Sequence, residues 1–384
     1  MILNKHQFDG RMVRISNVFD LQMGKTPSRK NPLYWRDGNH DWISIADLSS
    51  FGKYVGKTKE QINDFAVKES GIKPIPTNTV LMSFKLSLGK TSITTEPVYT
   101  NEAIMAFINK GLYSVDTSFM YHQCRSKNWA VGTNDAVMGK TLNKRTLGQS
   151  VIFLPSFEEQ RSIAAKLDFI DEQLQKTKNV LQKLDSLVKS RFVEMFESDG
   201  RFVTLKECCS SIRGGKTPSM KHPEYYGGDI PFVKSGDVKQ DVVSCGVLSL
   251  TEKAVSEAGV KLVPKNSILV VTRSAMLHRK MRSALSMRDL AINQDIKAFV
   301  PLPEYLPSYL LWAIRSHEQE LLSGVRTVST CALDFDQLCS LKVRRVPLAL
   351  QQEFASFSSQ VDKSRFADLC STRNHQACSC LSLV

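Results

Sequence analysis

The chain repeats itself, and this repeat constrains its architecture more than any other sequence feature. Gly24-Lys25-Thr26-Pro27-Ser28 recurs as Gly215-Lys216-Thr217-Pro218-Ser219, and the following Asn31-Pro32 and Tyr34-Trp35 recur as His222-Pro223 and Tyr225-Tyr226. Glu69-Ser70-Gly71-Ile72-Lys73, running on to Asn78-Thr79-Val80-Leu81, returns as Glu257-Ala258-Gly259-Val260-Lys261, running on to Asn266-Ser267-Ile268-Leu269. Asn101 then matches Asn293, Gly132 matches Gly324, and Leu154-Pro155 matches Val346-Pro347. Chance does not keep so many blocks in order and in phase, so the chain is a tandem duplication of a unit of roughly 190 residues. Solenoid repeats run about 20 to 50 residues, so each copy is instead a domain with its own core.

Within a copy the local patterns predict a mixed α/β unit. Asp41-Trp42-Ile43-Ser44-Ile45 and Asn78 to Phe84 read as strands, rich in β-branched and aromatic residues between turn residues. Thr58-Lys59-Glu60-Gln61 fits a capping box opening a short helix that closes near Gly71. The segment after the first copy differs in kind: from Phe157 to about Ser198 it holds neither Gly nor Pro. Ile163, Leu167, Ile170, Leu174, Thr177, Leu181, Leu184, Val188, Arg191 and Met195 alternate spacings of four and three there. That narrow seam predicts a coiled-coil helix of some 40 residues, reaching about 60 Å. The expected fold class is mixed α/β: two tandem globular domains, each followed by a helical region, the first a long coiled-coil spacer helix.

Charge points to a partner. The net charge is +13, with 20 Lys/Arg against 12 Asp/Glu in residues 1–152, 7 against 9 in 153–200 and 18 against 14 in 201–340. Two basic blocks flank a slightly acidic spacer, the pattern of modules that meet a polyanion through phosphate neutralisation. No long uncharged apolar run occurs, and Lys5, His6 and Asp9 stand where a signal peptide needs an apolar run. The nine Cys have no paired CxxC spacing, so reduced thiols and a cytoplasmic location are expected.

Catalytic patterns are not met. The Gly-Lys-Thr triplets at Gly24, Gly89 and Gly215 invite a phosphate-loop reading, but a Walker loop needs a glycine where Phe19, Phe84 and Ser210 stand. Gly-Lys-Thr-Pro-Ser reads instead as a turn, either touching a phosphate or purely structural. Asp334 and Asp336 read as a cap or turn, and Cys370, His375, Cys378 and Cys380 are spaced too irregularly for a zinc site. The chain reads as a binder. Lys25, Thr26, Ser28, Lys216, Thr217 and Ser219 are DNA-binding candidates on the shared turn, as are Asn101, Asn293 and Gln294 on the Asn segment. The divergent basic segments add Lys85, Lys90 and Thr91 in the first copy, and Lys234, Arg273, His278, Arg279, Lys280 and Arg282 in the second, the latter segment four residues longer. A shared scaffold with different loops suits two modules that read different sequences.

These features resemble the specificity subunits of type I restriction-modification enzymes. The most specific mark is Leu154-Pro155-Ser156-Phe157-Glu158-Glu159-Gln160-Arg161-Ser162-Ile163, entering the long helix and echoed degenerately as Val346-Pro347-Leu348-Ala349-Leu350-Gln351-Gln352-Glu353-Phe354. The resemblance implies target recognition domains at 1–155 and 199–345, a conserved spacer helix at 156–198 and a conserved helical region at 346–384. It implies that each domain reads one half of a split double-stranded DNA site. The helices, through Ile163, Leu167, Ile170, Leu174, Leu181, Leu184 and Val188, would pair and dock two methyltransferase subunits, with restriction (motor) subunits joining the complex. S-adenosylmethionine, ATP and Mg belong on those partners, leaving this chain without catalysis, cofactor or metal of its own. An orphan DNA-binding protein or silent specificity cassette is the alternative. The heptad pattern fades after Phe366, and the Cys-rich end reads as a truncated second helix.

Overall fold

The computed structural model describes residues 10–85, 87–129, 134–136, 139–196, 200–327 and 331–381. Lys5, His6, Asp9, Gly132 and the side chains of Cys370, His375, Cys378 and Cys380 lie outside the described residues. Contacts divide the chain into two compact units, residues 1–175 with 372–384 and residues 176–371. The division falls within the spacer helix, so each unit owns part of it.

In the first unit four antiparallel strands line up in the order Phe19–Met23, Ile104–Asn109, Val80–Ser83, Thr91–Ile93. Glu60–Ile62, His40–Ile43 and Tyr99–Thr100 form a second sheet, and Gly10–Arg14 pairs with Val151–Pro155. The second unit repeats both sheets. Cys209–Gly214, Ile296–Pro301, Ile268–Val271 and Ser283–Ser286 take the first order, extended by Val242–Val243. Leu248–Leu250, Tyr226–Val233 and Leu290–Ile292 take the second, extended by Leu262–Val263. The duplication read from the residues is a duplication of topology.

Continuous apolar runs mark the central strands, because both faces are covered. Val80 and Met82 enter one core with Phe107 and Phe119, whereas Leu81 enters another with Ile43 and Ile75. Ile268 and Val270 likewise divide from Leu269 and Val271.

Two local expectations change in detail. Residues 60–62 are a strand, and the helix is Asp64–Ser70, capped by Asn63, whose side chain accepts from Ala66 N–H at 2.9 Å. Thr58 does not cap a helix: its hydroxyl donates to the Asp41 carboxylate at 2.7 Å. The capping pattern is matched by chance, and the sheet's pairing of Glu60 with Trp42 overrides it. Gly71 does close the helix, in the left-handed conformation at φ 62°, as Gly259 does at φ 66°. Asp334 caps the helix Phe335–Cys339, accepting from Asp336 and Gln337 N–H groups at 3.0 and 3.1 Å.

The spacer helix runs Phe157–Phe196, 40 residues. Ser156 and Glu159 form its capping box: Ser156 N–H donates to Glu159 at 3.0 Å, and Glu159 N–H to the Ser156 hydroxyl at 3.3 Å. Gln160, 1% exposed, holds the helix to the first unit. Its amide donates to the carbonyls of Ser114 and Pro155 at 3.1 and 3.0 Å and accepts from Asp116 N–H at 2.9 Å. Gln351, 0% exposed, repeats this staple in the second unit, with Glu304, Val346 and Leu306 as partners at 2.9, 3.0 and 2.7 Å. The paired glutamines thus explain the helix-entry motif physically: each satisfies three backbone groups that helix docking takes from water.

The heptad seam is buried unevenly. Ile163 packs on the core of the first unit and Leu184 and Val188 on that of the second, while Leu167, Ile170 and Leu181 are half-buried and Leu174 is 41% exposed. In the second unit Phe192 and Phe196 meet Phe354 of the helix Leu348–Leu381 at ring separations of 5.3 and 5.6 Å. Such aromatic pairs add about 0.5–1.5 kcal/mol each beyond their burial. The backbone stays helical to Leu381, although the heptads fade after Phe366.

Candidate nucleic-acid interface

One backbone crossing, made twice, assembles the candidate residues. In the first unit the chain leaves strand Phe19–Met23 at Gly24, and Lys25 N–H donates to the Thr100 carbonyl at 2.8 Å. A Cβ on Gly24 would overlap the carbonyl oxygens of Thr100 and Asn101, so only glycine permits the crossing. In the second unit Lys216 N–H donates to the Ile292 carbonyl at 3.0 Å, and a Cβ on Gly215 would overlap the carbonyls of Ile292 and Asn293.

Side chains lock each crossing. The Thr26 hydroxyl donates to Glu102, and the Thr217 hydroxyl to Gln294 Oε1 at 2.7 Å. Trp42 Nε1 donates to the Lys25 carbonyl at 3.1 Å, and the Tyr226 hydroxyl to the Pro218 carbonyl at 2.6 Å. The two prolines are buried, which turns Lys25, Ser28, Lys216, Thr217 and Ser219 outward, with Thr26 half-buried. Gly-Lys-Thr-Pro-Ser is therefore a pinned turn, and no α-helix follows it as a phosphate loop requires. The Glu102 carboxyl lies below the usual carboxylate range, held there first by the Thr26 hydroxyl against the opposing effect of burial. Phe84 N–H donates to the Ala103 carbonyl at 3.0 Å, which sets the half-buried Lys85 beside Glu102, where its charge also helps to lower that carboxyl.

The remaining candidates divide by exposure. Lys90 is exposed, its carbonyl accepting from Ser83 N–H at 2.8 Å, whereas Thr91 is buried and donates to the Gly89 carbonyl at 2.9 Å. Asn101 is half-buried and accepts from Ala103 N–H at 3.1 Å. Asn293 is buried at 5% exposure, donating from Nδ2 to Asp295 at 2.8 Å, while its neighbour Gln294 is exposed. The Asn293 N–H also donates to the Val233 carbonyl at 3.1 Å, setting the half-buried Lys234 alongside. In the longer second loop, buried Leu277 and Met281 anchor a 3₁₀ turn at Ala275–His278, leaving Arg273, His278, Arg279 and Lys280 exposed and Arg282 half-buried. Lys280 and Arg282 line a cleft of about 240 Å³ with Lys189, Lys239, Trp312 and Arg315. Arg315 is tied there to Asp241 at 2.7 Å, so the cleft's positive charge is partly balanced.

A further group stands beside the first crossing that sequence reasoning missed. Arg29 bonds both oxygens of Glu60, Nη2 to Oε2 at 2.8 Å, and its guanidinium lies 3.8 Å from the Trp35 ring centre and 5.0 Å from that of Trp42. The only sequence signal was an arginine just after Ser28 and ahead of Trp35. Sheet pairing, not sequence proximity, brings Glu60 opposite Trp42.

A pair of related basic α/β units with duplicated pinned turns and a helix leaving the first defines a two-module binding protein. The family model for the type I restriction modification DNA specificity domain matches residues 9–185 and again 197–375. The chain is 24% identical to the MjaIX specificity subunit of Methanocaldococcus jannaschii over 74% of its length and 71% of the relative's. It is 28% identical to the EcoR124I/EcoR124II specificity subunit of Escherichia coli over 52% of its own length and 50% of that relative. The fold matches a solved S subunit of a type I system from M. genitalium, with a TM-score of 0.53 at 13% identity over 99% of this chain and 96% of that one. It also matches a chain from a structure of type I R-M complex assembly, with a TM-score of 0.55 at 17% identity over 96% and 95%. The chain belongs to the type I restriction-modification DNA specificity family, as a non-catalytic specificity subunit. No helix among the described residues is long and apolar enough to cross a membrane.

Proposed function

We infer that the two units read the two halves of one split double-stranded DNA site, each through its pinned turn and its adjoining loop. The observation that carries this reading is the crossing built twice on the same backbone bonds, bordered by different outward side chains. The repeated part suits phosphate contact, which positions without specifying, and the divergent part suits base contact, which specifies. Lys25, Thr26, Ser28, Lys85 and Lys90 serve the first unit. Lys216, Thr217, Ser219, Gln294, Arg273, His278, Arg279, Lys280 and Arg282 serve the second. Lys234 joins the second group, while Thr91, Asn101 and Asn293 hold the backbone that presents them.

The spacer helix sets the gap between half-sites, and its exposed seam around Leu174 docks methyltransferase subunits, two per complex, to which restriction subunits add. S-adenosylmethionine, ATP and Mg act on those partners, in the cytoplasm. The test is co-expression with the cognate methyltransferase subunit in a methylation-free host, followed by genome-wide mapping of modified adenines. A bipartite motif with one fixed gap is expected. Assembly of the complex without methylation would instead favour a silent specificity cassette.

A further inference from the structure

Placing the two units in register shows where they part in chemistry beside the pinned turn. In the first unit Trp42 lies opposite Glu60 on one side and Tyr99 on the other. In the second, Phe232 holds the place of Trp42, opposite Leu248 and Ala291. The residue after the pinned turn's serine is Arg29 in one and Met220, 71% exposed, in the other. Trp42, Tyr99, Phe232 and Ala291 are buried, so the outward difference at this corner is the exposed Arg29 paired with Glu60 in the first unit against the exposed Met220 over half-buried Leu248 in the second.

Three features of Arg29 go beyond an ordinary surface ion pair. Its guanidinium is stacked on Trp35 and tied by two bonds to Glu60, so its orientation is set before any ligand arrives. Its side chain is nevertheless 50% exposed, on the turn that already carries Lys25 and Ser28. Finally, a guanidinium has five N–H donors. Glu60 takes one from each terminal nitrogen, which leaves Nε–H and an outer Nη–H as a parallel pair. That pair matches the O6 and N7 acceptors that guanine displays in the major groove. Glu60 serves here as a brace, spending one edge of the fork to aim the other.

We propose that Arg29, braced by Glu60 and Trp35, is a base-reading residue of the first unit that selects a guanine in its half-site, and that Met220 leaves the second unit without this contact. The proposal rests on the reading of the units as half-site readers. The test uses the full chain in complex with its methyltransferase subunit, and selection from a library of duplexes randomised across both half-sites. Wild type should enrich a bipartite motif containing a strongly preferred G·C pair in one half. Arg29→Met, and equally Arg29→Lys, which keeps the charge but loses the fork, should lower the preference at that one pair by roughly 5- to 150-fold. The other half-site should be unchanged. Glu60→Gln, which weakens the brace and keeps the arginine, should give a smaller loss at the same pair.

Unaltered motifs for Arg29→Met and Arg29→Lys would overturn the proposal while leaving half-site reading intact. So would a loss spread evenly over the whole half-site with a lowered melting temperature, which marks Arg29 as only structural. If wild type enriches no motif, half-site reading itself fails and the proposal with it.

Discussion

The two units agree where backbone meets backbone and differ where side chains face outward. Gly24 and Gly215 make the same close crossing, Gln160 and Gln351 the same staple, and Thr26 and Thr217 the same lock onto the neighbouring segment. Beside those shared parts, the exposed Arg29 and its half-buried partner Glu60 give way to the exposed Met220 and the half-buried Leu248, over buried positions where Trp42 and Tyr99 are replaced by Phe232 and Ala291. Buried backbone bonds must be satisfied in every copy, whereas an outward side chain answers only to its ligand. On the half-site reading proposed above, such a duplicate can change its target without reworking its scaffold.

The strongest way to break this comparison is to attack the shared crossing. Gly24→Ala forces a methyl group onto two carbonyl oxygens and should destabilise the first unit by about 3 kcal/mol or more, with Gly215→Ala doing the same to the second. Hydrogen exchange on each variant should show loss of protection confined to the altered unit; loss in both would mean the units do not fold independently. Next in size are the staples. Gln160→Ala leaves two carbonyls and one N–H buried without partners and should cost about 2–4 kcal/mol, and Gln351→Ala should match it. Thermal melting of the two variants checks the equivalence, which fails if only one is affected.

Acid should separate the units. Burial pushes the Asp168 carboxyl up, but bonds from Lys53 at 2.5 Å and His122 at 2.8 Å outweigh it and leave the group below its usual range. A depressed folded-state pKa stabilises at pH above the ordinary carboxylate value, and this contribution is lost as pH falls through the lowered pKa. The equivalent place in the second unit is the exposed Ser359. Below about pH 4, exchange protection where the spacer helix joins the first unit should fall first, and Asp168→Asn should remove that difference. The smallest effects belong to the exposed lysines. Lys25→Ala and Lys216→Ala should each weaken DNA binding across all sequences and lower the salt slope by about 1, read from titrations at several salt concentrations.

Periodic and repeated features were legible without a structure. The recurrence of Gly-Lys-Thr-Pro-Ser announced two units, the seam from Ile163 to Met195 announced the helix, and the run from Asn78 to Phe84 announced a strand. The Thr58 capping box was not a cap, because a four-residue pattern cannot weigh itself against a strand pairing formed with Trp42. Asn293 and Thr91 fitted the donor chemistry of a reader, yet they lie buried and bonded within the fold. Gln160 stood out only as part of a motif, with nothing in the chain to show that its partners are Ser114, Pro155 and Asp116.

Duplication, the long helix and the excess of positive charge are properties of residue order and composition, because periodicity and net charge survive in an unfolded chain. Which side chains meet is not. Arg29 finds Glu60, and Thr217 finds Gln294, only after strand register and the glycine crossing have brought distant segments together. Those juxtapositions depend on non-local backbone bonds that a linear pattern does not encode, so the tertiary structure alone decides what each unit presents to DNA.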